Sequence, residues 1–199
     1  MIRIIAGEYR SRVLASPEDA ETSRPYTSRV KESVFNLLRG WFEEGATALD
    51  LFAGVGTMGL EAISRGASHV TLVERDRAVG RLLRQNIEAL GCEDRATVIS
   101  GDALSPTVVT HARKPVDVIF VDPPYDMMLQ AKSRQRVLDQ IARCRSIMGE
   151  KGFVVLRSPI GTGAANFAIE GFDGPEAHDY SHEMHVMLYA PKNSGDSAG

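Results

Sequence analysis

The sequence predicts an α/β fold built on a mostly parallel sheet with helices on both faces, and three observations predict it. Apolar runs of strand length alternate with amphipathic helical stretches from residue 46 onward. The first of these strands ends in the glycine spacing Gly54-x-Gly56-x-x-Gly59, which leads directly into a helix. The last two apolar runs have no helix between them and read as an antiparallel pair at one sheet edge. Strands separated by helices need crossover connections, and those make neighbouring strands parallel.

Along the chain, "MIRIIAG" and "SRVLAS" bracket "EYR" and form a small paired arm, and "PEDAETSRPY" is a loop without apolar periodicity. "SRVKESVFNLLRGWF" places Val30, Val34, Leu37, Leu38 and Trp41 at helical spacing, with Ser28 as the N-cap. "TALDLF" is a buried strand, followed by a helix over "TMGLEAISRG" that Gly66 closes. "HVTLVE" is the second strand, and "RDRAVGRLLRQNIEALG" a helix stopped by Gly91. "ATVISGD" and "VDVIFVD" are the third and fourth strands, a helix near 132–147 leads to the fifth in "GFVVLRS", and "EAHDYSHE" and "MHVMLYAP" close the series.

The chain divides into an arm and first helix over 1–45, a catalytic domain over 46–191 and a polar, disordered tail over 192–199. No apolar run approaches the roughly 20 residues that span a bilayer, and the N-terminus has no export signal, so a cytoplasmic protein is expected. Cys92 and Cys144 stand far apart in no metal or redox spacing and read as free thiols in a reducing compartment. Net charge is −3, but residues 1–31 carry +2 and the remainder −5. A second basic run holds Lys132, Arg134, Arg136, Arg143 and Arg145 against Asp139. Such runs serve as solvated faces or as phosphate contacts.

A glycine loop opening a helix suits an anionic group, a pyrophosphate or a carboxylate. Glu74 ends the second strand, 20 residues beyond Gly54, where a carboxylate takes ribose hydroxyls. Asp50 lies inside the first strand, where it either receives the amino end of an amino-acid-bearing cofactor or bonds loop amides. Asp102, after the third strand, either accepts from an adenine amine or begins the next turn. The fourth strand ends in Asp122-Pro123-Pro124-Tyr125. Two prolines remove two amide donors and fix an array of acceptors, and an aromatic ring follows. That combination orients an exocyclic nucleobase amine while the ring stacks on the base. Hydride transfer has no evident use for it.

These motifs resemble the class I S-adenosylmethionine-dependent methyltransferases and, more narrowly, the RsmD family, which methylates a guanine exocyclic N2 amine in 16S rRNA. The likeness rests on "RIIAGEYRSRVL", "RPYTSRVKESVFNLL", "DLFAGVGTMGLEAISRGA", "VTLVERD" and "DVIFVDPPY" in the family's order. The sequence departs from the family at Tyr26 and Ser28, where threonine and aspartate are usual. The resemblance implies a Rossmann-like sheet of seven strands, order 3-2-1-4-5-7-6, with strand 7 antiparallel. It implies S-adenosyl-L-methionine held by Asp50, Phe52, Gly54, Gly56, Gly59, Glu74, Arg75, Asp102 and Ala103. It further implies catalysis by Asp122, Pro123, Pro124 and Tyr125, and 16S rRNA, within the 30S subunit or a precursor, as partner. The sequence does not fix the oligomeric state, and a monomer is favoured. Arg3, Arg10, Arg12, Arg24 and Arg29 would contact RNA phosphate.

Other readings are a DNA adenine-N6 methyltransferase, since the same tetrapeptide serves any exocyclic amine, an NAD-dependent oxidoreductase, and a non-catalytic RNA-binding module. In "HDYSHEMH", His178 and His182 would share one face of a strand and His185 the other, so no metal is expected.

Overall fold

The computed structural model describes residues 2–17, 27–42 and 44–192. It has two compact units, Met1–Ala103 and Leu104–Gly199. Most of the loop over 17–26, including Arg24 and Tyr26, and the tail beyond Lys192 lie outside the described residues.

The first unit opens with β1 (Ile2–Arg3) and β2 (Val13–Leu14), paired antiparallel as expected, Ile2 opposite Leu14. Helix α1 (Ser28–Leu37) follows. Its N-cap is Thr27, whose hydroxyl accepts the Val30 amide hydrogen at 3.3 Å. The expected cap Ser28 is instead the first helical residue, because either of two adjacent hydroxyls can serve and the extended backbone of Thr27 selects it. Val30 and Val34 face inward, but Leu37 is 41% exposed, and the next residue, Leu38, takes the buried place where the helix ends.

Strand β3 (Thr47–Leu51), helix α2 (Gly59–Ser64), strand β4 (His69–Glu74), helix α3 (Arg77–Leu90) and strand β5 (Ala96–Ser100) repeat the strand–helix alternation. The strands pair in parallel, β3 with β4 and β4 with β5. Asp76 caps α3 by accepting from the amides of Ala78 and Val79, and Gly91 ends it in the left-handed conformation. Leu49, Leu51, Leu60, Ile63, Leu72 and Leu83 are fully buried, each contributing about 1.5–3 kcal/mol.

A charged cluster is buried in this apolar unit. Glu61 of α2 is fully buried and accepts from the arm amides of Ile5 (2.8 Å) and Ala6 (3.0 Å). It also pairs with Lys31 Nζ at 3.1 Å and Arg65 Nε at 2.8 Å. Ser64 continues the seam: its hydroxyl accepts from the Tyr9 amide and donates to the Ala6 carbonyl. Gly7 passes so close that a Cβ there would lie 1.8 Å from the Ser64 carbonyl oxygen. The arm is therefore bolted to α2, and Lys31, counted among the N-terminal charges, is an interior residue.

The second unit holds α4 (Thr107–His111), β6 (Val116–Val121), α5 (Tyr125–Leu129), α6 (Ala131–Cys144), β7 (Met148–Ser158), β8 (Phe172–Ser181) and β9 (Met184–Pro191). Both α4 and α5 are five-residue helices that periodicity could not reveal. The fifth strand of the alternation, β7, begins four residues before the expected "GFVVLRS". Strands β6 and β7 are parallel, whereas β9 runs antiparallel to both β7 and β8. The sheet order β5-β4-β3-β6-β7-β9-β8 is the expected 3-2-1-4-5-7-6 with the seventh strand reversed. A turn between β8 and β9 separates the histidines of "HDYSHEMH": His178 lies on β8, His182 in the turn and His185 on β9. They do not share one strand, as the face argument supposed. Among the described residues no helix is long and apolar enough to cross a membrane.

Candidate active site

In the first unit the loop after β3 is held by two carboxylates. Asp50, 1% exposed, accepts the Gly59 amide hydrogen through Oδ2 at 2.8 Å. Of the two roles open to Asp50, loop-amide bonding is thus observed. Glu74 accepts the Gly54 amide through Oε2 at 2.9 Å and the Asp76 amide through Oε1 at 2.7 Å. It ties the glycine loop to the cap of α3. A carboxylate has roughly four acceptor sites, so these bonds leave capacity for hydroxyl donors.

The three glycines do different work. Gly54 has φ +56° and open space where a side chain would stand, so backbone conformation demands it. At Gly56 a Cβ would lie 2.7 Å from both Leu60 and Leu83, and at Gly59 it would lie 2.7 Å from Leu72. Those two positions let α2 and α3 close on the sheet. Phe52 adopts φ +65°, a conformation costing a non-glycine residue about 1–3 kcal/mol. The Ala53 amide donating to the Val73 carbonyl helps to hold it. Arg75 and Asp102 are exposed and Ala103 is buried.

Sequence reasoning missed Asn86. This buried side chain accepts from the Ala15 amide at 2.7 Å and donates to the carbonyls of Ala15 and Val55, both at 3.0 Å. It links arm, helix and glycine loop. A polar residue on the apolar face of α3 was the available signal.

In the second unit Asp122 follows β6, and Pro124 leads into α5, accepting the Met127 amide at 2.9 Å. The Asp122 carboxylate accepts Nε–H of Arg157, a β7 residue 6% exposed. The same guanidinium lies over the Tyr125 ring, its Cζ 5.2 Å from the centroid. Burial pushes the Asp122 carboxyl above its ordinary range, and Arg157 opposes that shift. The Tyr125 hydroxyl is buried and has no hydrogen-bond partner among the described residues. Sequence reasoning missed Arg157, which meets both Asp122 and Tyr125; its signal was a charge within the apolar run "GFVVLRS".

The basic residues divide. Arg10 and Arg29 are exposed. Arg3 donates to the Ser11 carbonyl at 3.1 Å and Arg12 to the Ala89 carbonyl at 2.7 Å, so both also fasten the arm. In the second basic run, Arg134 donates to the Met128 carbonyl and Arg145 to the Lys192 carbonyl, which are structural duties.

A glycine loop braced by strand-end carboxylates, on a seven-stranded sheet of this order, defines the class as a Rossmann-like methyltransferase fold. The family model described as "Conserved hypothetical protein 95" matches residues 2–170, and the chain belongs to that family, the RsmD family. The chain is 43% identical over 124 residues to "Ribosomal RNA small subunit methyltransferase D" of Escherichia coli, covering 62% of this chain and 60% of that protein. The matched segment thus spans less than two thirds of that relative. It is 34% identical over 155 residues to "Putative rRNA methyltransferase YlbH" of Bacillus subtilis, covering 77% of this chain and 80% of that one. Among solved structures, "Putative methyltransferase yhhF from Escherichia coli" superimposes with a TM-score of 0.75 at 28% identity, covering 96% of this chain and 98% of that chain.

Proposed function

We propose that this chain transfers a methyl group from S-adenosylmethionine to the exocyclic N2 amine of a guanine in 16S rRNA, in the cytoplasm, on the small subunit or its precursor. The observation that carries the reading is the corner after β6, where a carboxylate, two prolines and an aromatic ring form one rigid unit. The names of the relatives support rRNA as substrate and give no support to the DNA-adenine alternative.

The residues present fit the cofactor. Open space at Gly54 admits a ligand against the backbone, and Glu74 at the end of β4 offers acceptors for two ribose hydroxyls. Asp50 supplies negative charge for an amino group, and Asp102 an acceptor for adenine. When bound, the cofactor supplies an already activated sulfonium methyl. The chain's work is then positioning. Asp122 and the Pro123 carbonyl accept the two amine hydrogens and raise electron density on the nitrogen. Tyr125 stacks on the base, which must be unpaired or flipped to reach this corner. Asp122 accepts the departing proton or passes it to water.

The test is tritiated-methyl transfer to RNA and to 30S particles from cells lacking this protein, followed by nucleoside analysis. Label in N2-methylguanosine is expected. Asp122→Ala should lower the single-turnover rate at least about a hundredfold while cofactor binding persists. Tyr125→Ala should slow transfer, and Tyr125→Phe far less. Tight NAD binding with no response to S-adenosylmethionine in calorimetry would overturn the assignment.

A further inference from the structure

We propose that Arg157 is the positioning residue of this corner, holding the Asp122 carboxylate in its ionised, acceptor-only form and bracing the Tyr125 ring. The inference rests on the reading of the corner as an amine site.

Asp122 and Arg157 lie on different strand ends, 35 residues apart in sequence, and a single guanidinium engages both working groups. Its Nε–H donates to Asp122 Oδ1 while its Cζ lies over the Tyr125 ring, 5.2 Å from the centroid. A side chain 6% exposed and opposite uncharged Val186 of β9 is not placed for solvent. Among the described residues, the charged group bearing on Asp122 is Arg157 from β7, which also meets Tyr125 of the same loop.

The chemistry needs this arrangement. An ionised carboxylate only accepts, so it can take hydrogens from an amine. A protonated one turns one oxygen into an O–H donor and accepts more weakly at the other, so it orients that nucleophile poorly. Burial favours the protonated form, and the adjacent guanidinium counters it. Arginine suits both tasks because its planar fork can bond a carboxylate and stack at once, which an ammonium cannot.

The sign follows. Removing Arg157 leaves burial unopposed, so Asp122 takes up its proton at higher pH. Activity is then lost first at low pH and returns as pH rises. Arg157→Met should therefore move the acidic limb of the single-turnover rate profile upward. The rate should fall about tenfold for each pH unit below that limb. Affinity for S-adenosylmethionine should stay unchanged. In the protein without cofactor, carboxyl-carbon NMR of labelled aspartate should show the Asp122 resonance titrating at correspondingly higher pH. Arg157→Gln serves the same purpose if the methionine variant does not fold. Arg157→Lys keeps the charge and loses the guanidinium contact with the ring, so its limb should stay near wild type while its plateau rate drops.

A folded neutral variant with unmoved limb and unmoved Asp122 titration overturns the proposal. So does Arg157→Lys at the wild-type plateau rate, should neither neutral variant fold. If even the wild-type protein methylates no rRNA, the functional reading fails, and the NMR titration still judges Arg157 by itself.

Discussion

Replacing Glu61 by glutamine tests the buried cluster that holds the arm. The carboxylate has no exposure and receives four donors: two arm amides, Lys31 and Arg65. Glutamine keeps the volume but turns an N–H₂ toward donors and leaves Lys31, itself 2% exposed, without its counter-charge. Breaking one side of a buried pair costs about 3–5 kcal/mol. An independent bound comes from the escape open to Lys31, which is to lose its proton. Burial already lowers its pKa, and only the attraction of Glu61 opposes that. Deprotonating a lysine of ordinary pKa about 10.4 at pH about 7.5 costs about 4 kcal/mol at roughly 1.4 kcal/mol per unit. The two figures agree. Arg65, 18% exposed, can turn toward water and adds little. For a chain of this size about 4 kcal/mol lowers Tm by roughly 8–16 °C. Because the variant relaxes by releasing the Lys31 proton, its deficit should shrink as pH rises, by up to about 1.4 kcal/mol per unit. Scanning calorimetry of wild type, Glu61→Gln, Lys31→Met and the double variant from pH about 7 to about 9 measures both effects. The double variant should be less destabilised than the two singles together by at least about 1 kcal/mol. A Glu61→Gln melting point within about 1 °C of wild type refutes the reasoning, as does a deficit flat with pH.

The arm arginines give a second prediction. Arg10→Ala, Arg24→Ala and Arg29→Ala combined should weaken RNA binding and flatten its logarithmic salt dependence by about 2 in slope, at about 0.7 per lost phosphate contact. Unchanged affinity across the salt series, with intact cofactor binding, would refute the contacts and direct attention to the exposed Lys132 and Arg136. The buried thiols give a third. Burial raises Cys92 to about 11 and Cys144 to about 12, so both stay protonated at neutral pH. Iodoacetamide should modify neither until the chain unfolds, and alkylation at a free-thiol rate under native conditions contradicts their burial.

The strand and helix alternation, the glycine loop and the corner after β6 could all be read from sequence. Each is a local pattern: period, glycine spacing or successive prolines decide it within a few residues. Even there, short range was not always enough. Thr27 and Ser28 are equivalent caps by chemistry, and only the backbone entering α1 chose between them. The five-residue α4 and α5 carry too few turns for a period to show. The turn between β8 and β9 divided histidines that the sequence had placed on one strand.

What the tertiary structure alone decided are the partners of the buried polar groups. Glu61 reaches arm amides 55 and 56 residues away, Asn86 reaches Ala15 across 71, and Asp122 meets Arg157 across 35. A sequence shows that such a residue is polar inside an apolar stretch. It does not show which donor comes to it, because that depends on where distant segments cross. Burial makes each of those pairings obligatory, since an uncompensated interior charge costs several kcal/mol. The fold could therefore be inferred from local period, while the partner of Asp122 and the anchoring of the arm were decided only when the chain closed on itself.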